Sequence, residues 1–451
     1  MPYTVPPRNG RPYAAPSYTA LPYTALPYTA RIRRRLSRVR RGTAVLAVTA
    51  VAVPGLAVVT ASPAAADTTT QCEFPSKPYS GRPWSLQRVL LDQLWAESKG
   101  EGVSVAVIDT GVDIKNKQLT DAVDTGKGKR FLKPKKDKFG EKPKLGKANG
   151  TTDRVGHGTK VAGIIAARPA KDTGFVGLAP EAKIIPIQQN DENGSGTAAT
   201  LATSIDYAVS AGADIINISQ DTAQALKPES DLRRAVDAAL AKDRVIVASA
   251  GNDGLGGAVK ETYPASYPGV LAVASSDRNN ERAPFSQSGD FVGIAAPGVD
   301  MVSTVPSGGH CADNGTSFSA PYVAGVAALV RSKHPTWTND QVVAQLQQTA
   351  ERSIAGHDRL VGWGVVDPVR ALTEDDHPVS QPVAREGVAK AEAPTPARLQ
   401  LGETEQERNE RIGTYVVVGG LVLVGVVGGG SVVYRDWRRR TGRAAGRTGV
   451  A

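Results

Sequence analysis

Cysteine is nearly absent from this chain, with two in 451 residues. That excludes a disulfide-dense scaffold and a four-cysteine zinc site. Methionine is as scarce, with Met1 and Met301 alone, so a later translation start would need a non-ATG codon. Acid is missing from residues 1–66, which carry nine Arg, and nearly so from residues 435–451, which carry six Arg and one Asp. The formal charge of +10 therefore sits at the two ends, and everything between them sums to −4. A mildly acidic body removes the case for a nucleic-acid partner. No dense Asp-rich loop of the calcium-caging kind is present, and no metal or cofactor is expected. What the chain does have is 41% hydrophobic residues, enough for a real core and too many for a wholly disordered chain.

Both ends read as membrane-directed. Arg31 to Arg41 packs seven Arg into eleven residues ahead of an apolar run from Thr43 to Ala61. Pro63-Ala64-Ala65-Ala66 then offers an A-x-A-like cleavage site before Asp67, so residues 1–66 are expected to be an N-region and signal peptide; a retained signal anchor is the alternative. Upstream, Pro-Tyr-Thr-Ala repeats at Pro22–Ala25 and Pro27–Ala30 form a low-complexity tract. Near the other end, Tyr415–Tyr434 is 20 uncharged residues, enough for a helix to span the ~30 Å hydrocarbon core. Its six glycines would destabilise a helix buried in a soluble protein. Gly425 and Gly429 make a GxxxG step that could pack on another helix. Arg435, Arg438, Arg439 and Arg440 follow. The positive-inside rule places that tail in the cytoplasm, as a single-pass plasma-membrane protein with its body outside. Residues 373–413, rich in Pro, Ala, Glu and Arg, read as a linker, residues 414–434 as the transmembrane helix, and 435–451 as the basic tail.

Between them, Val103–Ile108, Lys183–Ile187, Ile215–Ser219, Val245–Ala250 and Val270–Ala274 read as buried parallel strands alternating with helix-like segments. This is an α/β pattern with a doubly wound, mostly parallel sheet and helices on both faces. Chemistry-bearing residues stand at strand ends and helix starts. Asp109-Thr-Gly follows a strand; the tripeptide also fits a turn or an aspartic protease, and its recurrences at Asp124 and Asp172 read as turns. Gly156-His157-Gly158-Thr159 opens an apolar run, Val161–Ala167. Ser317 stands before the apolar helix Tyr322–Val330, either as a helix cap or as a group whose developing charge the helix dipole favours. Asn252 follows Ala250-Gly251, either in a plain turn or as a carboxamide donor to an oxyanion.

Asp109-Thr-Gly, Gly156-His-Gly-Thr and Gly315-Thr-Ser-Phe-Ser-Ala-Pro, with Ala-Gly-Asn252 between the last two, resemble the subtilisin-like serine proteases, or subtilases. The resemblance implies Ser317 as nucleophile, His157 as general acid and base, Asp109 as its orienting carboxylate, and Asn252 with the Ser317 N–H as oxyanion hole. Ile215-Ile-Asn-Ile-Ser219 is similar to the substrate-aligning strand, which makes Ser219 a substrate-binding residue. Gln220-Asp221 replaces the usual Leu-Gly beside the specificity pocket. A narrower resemblance, to the mycosins, rests on Pro83-Trp-Ser-Leu-Gln-Arg88, Gly163–Pro169, Gly174–Pro180 and Gly362–Pro368 together with the anchor. It implies a membrane-anchored endopeptidase that cleaves exported proteins alongside type VII secretion membrane components. The alternatives are a structural part of that complex with dispensable activity, or a cell-retained degradative enzyme.

Fewer than twenty residues separate Ala66 from the helix-like Leu86–Trp95. No folded prodomain fits there, so residues 67–95 are expected to be an extension wrapped on a peptidase domain of residues 96–372. In an oxidising exterior Cys72 and Cys311 are expected to pair and pin it near the active-site side of the domain; two unpaired thiols are the alternative. Lys127–Lys147 holds ten bases and two acids, either a solvated loop or a docking loop for an acidic partner.

Overall fold

The computed structural model describes residues 72–132, 146–191, 196–220, 230–257, 260–385 and 405–444. The expected signal peptide, residues 67–71, the centre of the Lys-rich stretch, Asp221, residues 386–404 of the linker and the end of the basic tail lie outside these residues.

The five β-branched runs form the middle of one parallel sheet. They are β1 (Ser104–Asp109), β3 (Lys183–Gln188), β4 (Ile215–Ile218), β5 (Val245–Ser249) and β6 (Leu271–Ser276). Short β2 (Lys129–Arg130) and β7 (Ile294–Pro297) add its edges, in the order β2-β3-β1-β4-β5-β6-β7. Such strands are near-continuously apolar because both faces are covered. In β1, Val105 and Val107 face one core with α4 (His157–Ala166) and α7 (Thr316–Lys333). Ala106 and Ile108 face the other, with α5 (Ala198–Ser210) and α6 (Asp231–Ala241). A separate hairpin pairs β8 (Met301–Thr304) with β9 (His310–Asp313) antiparallel and delivers the chain to α7. Asp124 and Asp172 head no strand; Asp124 Oδ1 instead accepts the Gly126 and Lys127 N–H groups in a turn.

From Cys72 onward the extension is bound to the domain. Cys72 is disulfide-bonded to Cys311. Ser76 N–H donates to Gly308, His310 N–H to Lys77, and Trp84 Nε1 to the Val299 carbonyl. The single helix-like run splits into α1 (Trp84–Gln87) and α2 (Leu91–Glu97). The break has a packing reason: Leu86, Val89, Leu91 and Leu94 are all buried, and their 3-2-3 spacing does not fit one helix face. Short α3 (Lys117–Thr120) precedes β2, and α8 (Asn339–Thr349) and α9 (Pro368–Thr373) close the domain.

The C-terminal apolar run lies within α10 (Glu405–Ala444), 40 residues long. Within its segment Glu405–Arg440 an 18-residue window reaches mean hydropathy 2.3, so the helix is long and apolar enough to cross a membrane.

Candidate active site

β1 runs straight into the site. Its last residue, Asp109, is 1% exposed, and the Thr110 N–H donates to its Oδ1 at 2.7 Å. The chain then turns at Gly111, with φ +102°, where a Cβ would lie 2.3 Å from the Thr152 carbonyl oxygen. α4 starts at His157 after Gly156, whose φ of +85° only glycine adopts readily. A Cβ on Gly158 would lie 2.1 Å from the Gly111 oxygen. The glycines flanking the histidine thus let two backbones touch, and this brings the imidazole to the carboxylate. His157 Nδ1 lies 2.8 and 2.9 Å from Asp109 Oδ1 and Oδ2. A proton on Nδ1 donates to the carboxylate and leaves Nε2, across the ring, for proton transfer.

Burial alone would lower the proton affinity of His157, as would Lys160, but the charge and hydrogen bond of Asp109 together with Asp153 raise it above the ordinary histidine value. Asp153 is buried beneath α4. Its Oδ1 accepts from Thr110 Oγ1 and the Val155 and Gly156 N–H groups, and its Oδ2 from the Thr159 N–H and hydroxyl. Burial raises its carboxyl against these bonds. Thr110 Oγ1 also accepts the Gly158 N–H at 3.0 Å, so one hydroxyl links the Asp109 turn, the Asp153 carboxylate and the helix start.

Ser317 is the second residue of α7, and the cap position belongs to Gly315 rather than to the serine. Its hydroxyl donates to the Ser219 carbonyl at 3.0 Å, so its proton is directed there and not toward His157. Rotation about χ1 redirects it, and such bonds commonly tighten only when substrate binds. The next ring, Phe318, lies 5.4 Å from the imidazole. Asn252 Oδ1 accepts from the Thr316 N–H at 2.9 Å and from the Thr316 hydroxyl at 3.1 Å, while that hydroxyl takes the Gly251 N–H at 3.2 Å. With its oxygen held, the Asn252 carboxamide keeps Nδ2 as a donor, 3.5 Å from where a Gly315 Cβ would stand. Asn217 Nδ2 fixes the Ser219 hydroxyl at 2.8 Å.

The structure therefore gathers Asp109 with His157, Ser317 with Ser219, and Asn252 with the turn before Ser317. Cys311, in β9, lies six residues before Ser317. Sequence reading passed over Thr110, Asp153 and Thr316. Asp153 carried a usable signal, an acidic residue three positions before a glycine that caps a helix. Among the described residues no group of three His, Cys, Asp or Glu side chains could hold a metal ion.

The family model described as the subtilase family, Peptidase_S8, matches residues 100–364. The chain belongs to the subtilase family. It is a serine peptidase by that membership, similar to subtilisin E of Bacillus subtilis (strain 168), at 35% identity over 63% of this chain and 70% of that protein. It is likewise similar to subtilisin Savinase of Lederbergia lenta, at 35% identity over 63% of this chain and 96% of that protein. Among solved structures, the MycP3 protease from the type VII (ESX-3) secretion system matches with TM-score 0.57 and 34% identity, covering 66% of this subtilase and 90% of MycP3. MycP1 from Mycobacterium smegmatis matches with TM-score 0.58 and 30% identity, covering 70% and 90%.

Proposed function

We propose that the protein is a membrane-anchored serine endopeptidase whose nucleophile is Ser317. His157 takes the serine proton, Asp109 holds the imidazole and stabilises its charged form, and Asn252 Nδ2 with the Ser317 N–H receives the oxyanion. The observation that carries this reading is the Asp109–His157 bond set beside the start of α7, with Asn252 locked by Thr316. The Ser219 backbone would align an extended peptide, as β4 continues toward the cleft.

α10 supplies the tether, and the Arg cluster after Tyr434 places that end in the cytoplasm and the peptidase outside. Residues 1–66 act as the export signal and residues 67–95 as a retained extension. Similarity to MycP1 and MycP3 supports work beside a type VII secretion system, with exported proteins as substrates.

The test is labelling of the full-length protein with a fluorophosphonate. Label on wild type and none on Ser317→Ala supports the assignment, and no Ser317-dependent label refutes it. If a Ser317→Ala strain secretes normally while a deletion strain does not, the protein's role in the secretion complex is primarily structural.

A further inference from the structure

Lys160 follows His157 by one turn on α4, in a segment where every residue from Gly158 to Ala166 is buried. Its side chain is 8% exposed, and Nζ lies 2.8 Å from Asp313 Oδ2. The same ammonium sits 5.8 Å from the centre of the Phe318 ring, which itself packs on His157. The Lys160 carbonyl accepts from Ser303 Oγ at 2.6 Å, so both ends of the residue are fixed. Asp313 ends β9, its Oδ1 accepts the Asn314 N–H, and Ser317 follows four residues on. An ammonium among apolar neighbours is costly to desolvate unless paired, and a methionine would fill that space without the cost.

We propose that Lys160 is a positioning residue: through Asp313 and the Phe318 ring it holds the histidine-bearing helix against the serine-bearing turn, and its charge tempers the field of Asp109 and Asp153 on His157. Among the described residues the charges that act on the imidazole are Asp109, Asp153 and Lys160. α7 has no acid in its first turn, β8 contributes Ser303 and Thr304, and the extension's Glu73 and Lys77 are exposed. The inference rests on His157 acting as the general base.

The experiment is an NMR titration of the His157 ring in full-length, 13Cε1-histidine-labelled protein in detergent micelles, assigned with His157→Gln. Lys160→Met removes the cation and moves the midpoint up by about half a pH unit or more. Asp313→Asn leaves the cation unscreened and moves it down, and Lys160→Arg returns it to within about 0.2 unit of wild type. At pH above the titration, fluorophosphonate labelling of Lys160→Met falls at least about fivefold through misplacement. Identical midpoints in wild type, Lys160→Met and Asp313→Asn, with the disulfide formed and cooperative melting retained, overturn the proposal. Should Lys160→Met fail to fold, a downward shift in Asp313→Asn beside an unshifted Lys160→Arg supports the proposal, and no shift in Asp313→Asn overturns it. Wild type that titrates normally but takes no label refutes the enzyme reading instead, so the two failures are distinguishable.

Discussion

At the scale of single residues, the Asp109–His157 pair sets the pH response. The imidazolium is favoured by Asp109 and Asp153, and under the proposed function the base form is the one that would accept the serine proton. Labelling of Ser317 should therefore rise with pH along a limb centred above the ordinary histidine value of about 6.5. Asp153→Asn should shift that limb downward, as read from the labelling rate against pH. Asp109→Asn should lower turnover by about 10⁴-fold through the wrong tautomer, and Asn252→Ala by about 10²–10³-fold in kcat with KM little changed, both measured with a peptide substrate found for the wild type. The grouping of Asp109 with His157 and of Asn252 with the turn before Ser317 was legible in the sequence because each box pairs a polar residue with the small residues its geometry needs. Thr316, buried and bonded to both Asn252 and Gly251, was not, because a threonine inside a Gly-Thr-Ser run has no pattern apart from its neighbours.

At the scale of elements, the five central strands were legible to within about two residues, because burial on both faces writes an unbroken β-branched run. β7 was not: Ile-Ala-Ala-Pro is made of small residues and ends in proline. Nor was the β8–β9 hairpin, whose His-Cys-Ala-Asp strand lacks alternation. α7 begins six residues before the expected Tyr322, although Pro321 removes the N–H that would bond the Ser317 carbonyl. Backbone contact between the Asp109 turn and α4 predicts that Gly158→Ala, whose Cβ would meet the Gly111 oxygen, lowers the melting temperature and abolishes Ser317 labelling together. The extension carries a second pH dependence. His310 Nδ1 accepts the Tyr79 N–H and Nε2 lies 2.7 Å from Gln118 Oε1, so the neutral ring is held. Burial depresses its proton affinity to about 4, against a smaller opposing effect of Asp172. Because the folded value lies below the unfolded one, this stability is complete above about pH 6.5 and lost as pH falls toward 4. Melting temperature should drop across that window, and drop less in His310→Gln.

At the scale of the whole molecule, α10 is the candidate membrane span. A helix of 40 residues is about 60 Å long, roughly twice the hydrocarbon core, so it would extend past the bilayer. Truncation before Glu405 should move the protein from the carbonate-resistant membrane pellet to the soluble fraction while leaving Ser317 labelling intact; loss of label with truncation would count against an independent peptidase domain.

The bond between Cys72 and Cys311 closes a ring of chain, 239 residues in sequence separation, that contains Asp109, His157 and Asn252, with Ser317 just beyond its clasp. A peptidase is exposed to cuts by its own neighbours. Any single cut inside this ring leaves one covalent body, with Ser317, His157 and Asn252 still joined. Such a molecule would run as one band without reductant and as two with it. The clasp thus keeps a nicked chain in one piece, a property separate from folding stability.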